Sequence, residues 1–211
     1  MELNDLESAI RSAVLSAQKN YIRMSGWWLH HGPESFLQHQ IAWAVMRRCK
    51  TNVFTEVSPK KIGAERIRGP GRTYKARKRF DIIVWPKSSN IPRAVIEVKR
   101  AWRLAPVRAD ANKIRSYIKH RNAAKNGYII IYSDVSSFRG RSRSSERRNH
   151  LCRIFNRWGC ALSRTGWKCI NMTVVSPQGD GAEDVNGNRY SWGFALYRVS
   201  ASRVVSHKSV R

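Results

Sequence analysis

Two apolar runs of strand-like composition each carry one carboxylate in their interior: Phe80-Asp81-Ile82-Ile83-Val84-Trp85 and Ala94-Val95-Ile96-Glu97-Val98-Lys99. A lone carboxylate among Ile and Val is costly to bury unless it is paired or bound to a metal, so these runs must meet a partner where they enter a core. The connection between them holds the turn residues Ser88, Ser89 and Asn90, and a neighbouring antiparallel pair is the simplest arrangement. Side chains alternate along a strand, which sends Glu97 and Lys99 to one face while Ile96 and Val98 point to the other. Asp81 can join them from the partner strand, with a main-chain carbonyl such as that of Val98. The face bearing Asp81 continues with Ile83 and Trp85, so it is largely packed, and the acid belongs at the margin of a cleft.

The rest of the chain supplies helices and further strands. Leu3, Leu6, Ile10, Val14, Ala17 and Tyr21 predict an amphipathic helix over residues 3–21. Gly32-Pro33 opens a second helix running to about Arg48, with Leu37, Ile41 and Val45 on its apolar stripe and Glu34 in its first turn. A strand over 52–57 is followed by a Gly- and Arg-rich loop over 60–79 containing Gly69-Pro70-Gly71. Ile114, Tyr117 and Ile118 predict a helix from about 109 to 122, and Gly127 breaks the chain before an apolar strand over 128–132. A second basic stretch, 138–148, leads into a helix around 150–158, and strands over 168–175 and 192–199 close the pattern. The reading is an α/β chain: one domain over 1–199, with a core of about 33–133, a C-terminal elaboration over 134–199 and a basic tail over 200–211.

Charge narrows the partners. Forty Lys and Arg against fourteen Asp and Glu leave a formal net charge of +26, and nucleic acid is the leading polyanion because neutralised phosphates release counterions. The densest cluster, Arg66, Arg68, Arg72, Lys75, Arg77, Lys78 and Arg79, contains no acid and runs directly into the strand bearing Asp81. Arg100 and Arg103 follow the third strand, and Arg139, Arg141 and Arg143 form a second arm. Tyr74, Trp85 and Trp102 could stack on bases, although core packing is the commoner fate of tryptophan. No apolar run is long enough to span a bilayer, and Glu2, Asp5 and Glu7 sit where a secretory signal would want positive charge, so the expectation is a cytoplasmic protein off the membrane. Cys49, Cys152, Cys160 and Cys169 lack paired spacing and are expected to be reduced and mostly buried, with a zinc site of Cys152, Cys160, Cys169 and His150 as the minor alternative.

Asp81, fifteen intervening residues and then Glu97-Val98-Lys99 resembles the PD-(D/E)XK nuclease superfamily, over about residues 33–133. Phe80 stands where many members have proline. An acid-x-Lys triplet is expected about once by chance in a chain of this composition, so its weight lies in falling on a β-run after an Asp-bearing β-run. The resemblance implies a restriction endonuclease-like core: a mixed sheet of four to five strands flanked by helices, with extra C-terminal strands. It implies Asp81 and Glu97 as ligands of Mg²⁺, for which Mn²⁺ would substitute, Lys99 as the residue that positions the attacking water, and Glu34 assisting directly or through water. Asp110 or Lys113 would add a contact from the following helix, and Glu56 is a reserve ligand. The implied activity is a DNA endonuclease of restriction or defence type, with a junction-resolving or repair nuclease of the same fold as one alternative. A non-catalytic basic nucleic-acid binder is the other. An RNA substrate and a homodimer stay open.

Overall fold

A computed structural model describes residues 2–57, 79–101, 103–120, 123–137, 143–175 and 189–200. Its centre is one mixed sheet of six strands, β1 (Asn52–Val57), β2 (Phe80–Trp85), β3 (Ala94–Arg100), β4 (Asn126–Ser137), β5 (Lys168–Val175) and β6 (Arg189–Ser200), in the order β1-β2-β3-β4-β6-β5. The β3–β4 pair is parallel and every other neighbouring pair antiparallel. The expected central strands and the extra C-terminal strands together make one sheet of six. β6 pairs with β4 over its whole length, so the C-terminal strands extend the same sheet.

Helices cover both faces. On one side α1 (Leu3–Ser25) and α2 (Glu34–Cys49), joined by a 3-10 turn at Leu29–His31, pack Leu6, Ile10, Val14, Leu37, Ile41 and Val45 onto Ile82, Val84, Ile96, Val98, Ile130 and Leu196. On the other, α3 (Leu104–Ile118) and α4 (Ser144–Ser163) bring Val107, Ile114, Tyr117, Leu151, Phe155 and Trp158 against Ile83, Val95, Ile129, Ile131 and Tyr197. The even-odd alternation of β2 and β3 therefore sorts their side chains between two buried layers, as expected when both faces of a sheet are covered. An ion pair of 2.6 Å between Arg198 and Glu7, which also accepts from the Tyr128 hydroxyl at 3.2 Å, ties α1 to the sheet.

Several boundaries move, for local reasons. α1 continues to Ser25, where Gly26 takes a left-handed cap with φ 73°. α3 starts at Leu104, earlier than the expected 109, because Pro106 falls in its first turn, where a missing N–H costs nothing. Gly127 lies inside β4 and does not break it: a side chain there would run into Ile114 of α3, so glycine is what lets the helix approach the strand. α4 is also longer than expected. The tail beyond residue 200 and most of the 60–79 loop lie outside the described residues.

Candidate active site

The β2–β3 ladder runs from Val84↔Ala94 through Ile83↔Val95 to Ile82↔Ile96 and stops there. One step further the same register sets Asp81 opposite Glu97. In place of the next ladder bond, Asp81 Oδ2 accepts a hydrogen bond of 2.7 Å from the Val98 amide. The carboxylate thus completes the backbone pairing that the parting strands leave open, and it is fixed by doing so. Glu97 is almost wholly buried beside it, and Lys99, two residues on, emerges at the same end of β3.

Two more acids and a second lysine reach this end of the sheet. Glu34 is the first residue of α2, and its Oε1 accepts the Arg100 amide at 2.7 Å while Oε2 lies 3.7 Å from Lys99 Nζ. From α3, Asp110 Oδ2 lies 3.6 Å from Lys99 Nζ, and Lys113 Nζ lies 2.5 Å from Glu97 Oε1 and 3.6 Å from Asp110 Oδ1. Lys113 also donates to the Arg79 carbonyl at 3.1 Å and stands 5.3 Å above the Phe80 ring. Glu34, Asp81, Glu97, Lys99, Asp110 and Lys113 thereby form one connected cluster from four elements. Asp110 and Lys113 lie one helical turn apart on the flank of α3 that faces the sheet, a spacing that marks them once the helix is known to begin at Leu104.

The electrostatics follow from burial. Desolvation pushes the Glu97 carboxyl up to about 8, with the charge of Asp81 acting in the same direction and Lys113 opposing. Desolvation also raises Asp81 above the usual carboxylate range, against the Val98 hydrogen bond and the Lys113 charge. Burial pulls on Lys99 downward, but Glu34, Asp110, Asp81 and Glu97 leave its pKa above the ordinary lysine value, so it is a firm cation. Glu56 is exposed, takes φ 54°, and sits at the register step of β1 beside Asp81, whose pKa its charge raises further.

Among the described residues no three His, Cys, Asp or Glu side chains are gathered as a preformed metal site. The Lys113 ammonium stands against Glu97 and Asp110 in the role a cation would fill. Cys49 and Cys152 are half-buried and Cys160 and Cys169 exposed, which corrects the expectation of mostly buried thiols: Cys160 lies on the outer side of α4 and Cys169 on the edge strand β5.

Of the basic residues singled out from sequence, Arg79, Arg100, Arg103 and Arg143 are described, and Arg79, Arg103 and Arg143 are exposed. Arg79 and Arg100 flank the cluster through the main-chain contacts above, whereas Arg143 caps α4, its amide donating to Glu146 at 2.9 Å. Arg66, Arg68, Arg72, Lys75, Arg77, Lys78, Arg139 and Arg141, with Tyr74 and Trp102, lie outside the described residues. Trp85 packs edge-on against Phe54 and donates to the Ser89 carbonyl at 2.6 Å, a structural use rather than base stacking. No helix among the described residues is long and apolar enough to cross a membrane. The chain matches no protein-family model, no curated protein and no solved structure.

Proposed function

We propose that the chain is a metal-dependent DNA endonuclease that hydrolyses phosphodiester bonds, with Asp81, Glu97 and Lys99 as its catalytic residues and Glu34 assisting. The observation that carries this reading is the convergence of two desolvated carboxylates, facing each other where β2 and β3 part, with a lysine kept charged two residues away. Oxygen donors of this kind suit a hard divalent ion, and Lys113 against Glu97 is the sign that the pocket wants positive charge. Asp81 and Glu97 would hold Mg²⁺, with Mn²⁺ able to substitute, and the ion would polarise the scissile phosphate and a bound water. Lys99 would orient the attacking water and balance charge growing on the phosphate. Glu34, held by the Arg100 amide, keeps Lys99 in place. Restriction, defence, junction-resolving and repair roles share this chemistry.

Incubating the protein with supercoiled plasmid and Mg²⁺ or Mn²⁺, with and without chelator, tests the reading. Metal-dependent nicking or linearisation that is lost in Asp81→Ala and Lys99→Ala while binding survives is the expected result; cutting unchanged in both variants overturns the residue assignment. A second reading, a non-catalytic basic nucleic-acid binder, is favoured by one observation: Lys99 and Lys113 already neutralise Glu34, Glu97 and Asp110. Binding without cutting under every metal condition, on DNA and on a matched RNA, decides for it.

A further inference from the structure

The two helical layers differ in charge. Counting each helix with its capping residues, α3 (103–119) and α4 (143–164) hold eleven Lys and Arg against two acids, whereas α1 (2–26) and α2 (33–50) hold six against four. Six of those eleven form two ordered rows. Arg153, Arg157 and Arg164 fall at i, i+4 and i+11 on the side of α4 away from its buried Leu151, Phe155, Trp158 and Leu162, and all three are exposed. Arg108, Arg115 and Lys119 repeat the span at i, i+7 and i+11 along one flank of α3, with Arg108 and Lys119 exposed and Arg115 half-buried. Eleven helical residues cover about 16 Å, so each row sets three cations along a rigid line.

Apolar side chains divide the opposite way. Among the described residues the exposed large hydrophobics are Ile22, Met24, Trp27, Trp43 and Met46, all on α1, on α2 or between them. Among the described residues the α3/α4 side offers cations without an exposed aromatic platform. Binding of single strands draws on stacking of bases on aromatic rings, whereas non-specific duplex binding runs almost entirely on phosphate neutralisation.

We propose that the outer face of α3 and α4 is a docking surface for the phosphate backbone of duplex DNA, holding the duplex beyond the residues that act on the scissile bond. The inference rests on the reading of the chain as a DNA-directed protein, and it deepens that reading by assigning a face and six side chains to the duplex. The face carries no sequence code, so it supplies affinity and orientation. Asp110 and Lys113, on the flank of α3 turned to the sheet, join this layer to the carboxylate cluster.

Binding of a short labelled blunt duplex, measured by anisotropy in EDTA over a salt series, tests it without cleavage. The triple variant Arg153→Gln, Arg157→Gln, Arg164→Gln is compared with Arg11→Gln, Lys19→Gln, Arg23→Gln, which removes equal charge from exposed positions of α1. The α4 triple is expected to weaken binding about tenfold or more and to lower the slope of log K against log salt by roughly 2 to 3, with an unchanged melting temperature, while the α1 triple stays within twofold of wild type. Equal losses in the two triples overturn the proposal, because net charge and not a face then governs binding. Loss confined to a single strand of the same sequence also overturns it. Wild-type protein that binds no duplex at any salt sinks the DNA reading together with this face, whereas the expected contrast in a protein that never cuts keeps the face and removes only the nuclease.

Discussion

The Lys113 ammonium lies 2.5 Å from Oε1 of Glu97, under the Arg79 carbonyl and beside Asp110. A buried carboxylate and a lysine from a different element are each other's neutralising partner, so any added divalent ion must compete with that ammonium for Glu97. Lys113→Met therefore makes the site a better cation trap: Mg²⁺ affinity, read by titration calorimetry, is expected to tighten several-fold, while the metal-free protein loses little through Glu97 at or below pH 8, because that carboxyl takes up a proton when the ammonium is gone. Unchanged affinity would mean that the ammonium and the ion do not share a position.

Glu97 gives a stability signature of its own. Its pKa is near 8 in the folded protein against 4.5 for the free group, with burial as the main cause. The folded state then holds a proton that the unfolded chain releases between those values, so this group's contribution becomes steadily less favourable as pH rises from 4.5 to about 8 and is constant outside that window. Every tenfold difference in proton affinity between the two states corresponds to about 1.4 kcal/mol. Glu97→Gln lacks the ionisable group, so its melting temperature is expected to exceed that of the wild type at pH 8.5 by several degrees and to match it at pH 4. A gap of the same size at both pH values would show that Glu97 is not desolvated.

Asp81 has two separable duties, holding the Val98 amide and facing Glu97. Asparagine keeps an acceptor oxygen but not the charge. Asp81→Asn is thus expected to melt within about 1 kcal/mol of wild type while losing a hundredfold or more of metal-dependent cutting. Asp81→Ala, which orphans the Val98 amide, should cost about 1 to 3 kcal/mol as well. Chemical denaturation beside a plasmid assay distinguishes the two; equal destabilisation by both variants would place the carboxylate charge, not the hydrogen bond, in the fold.

The pairing of β2 with β3 and the shared face of Glu97 and Lys99 were legible because strand alternation is local and both runs are short and apolar. Glu34 was placed on the correct helix by Pro33, yet its contact with the Arg100 amide joins residues far apart in sequence and has no local signature. The same holds for Lys113: its tie to Glu97 depends on where α3 begins and how deeply it seats on β4. Charge pointed to a class of partner, but not to the division between the two helical layers, since Arg153 and Arg157 stand out only when the buried side of α4 is known. All six strands are legible as segments, but the place of β6 beside β4 is a pairing across more than fifty residues that periodicity cannot show.

That seating of α3 rests on Gly127, where a Cβ would meet Ile114 well inside contact distance and Val199 at 3.2 Å. Neither neighbour can retreat, since both are buried and Ile114 is held within the C-terminal third of its helix. Gly127→Ala must push α3 off β4, at a cost of about 1 to 3 kcal/mol for overpacking. The displacement would carry Asp110 and Lys113 with it, because both ride on the same helix. The variant is therefore expected to melt lower and also to lose the pH-dependent gap between wild type and Glu97→Gln, since withdrawal of α3 lets water reach Glu97. Truncating the facing side chain in the double variant Gly127→Ala, Ile114→Ala makes room for the added methyl, and it is expected to restore that gap even where overall stability stays low. A single variant that melts like wild type and keeps the gap would mean that α3 does not press on β4 at this point.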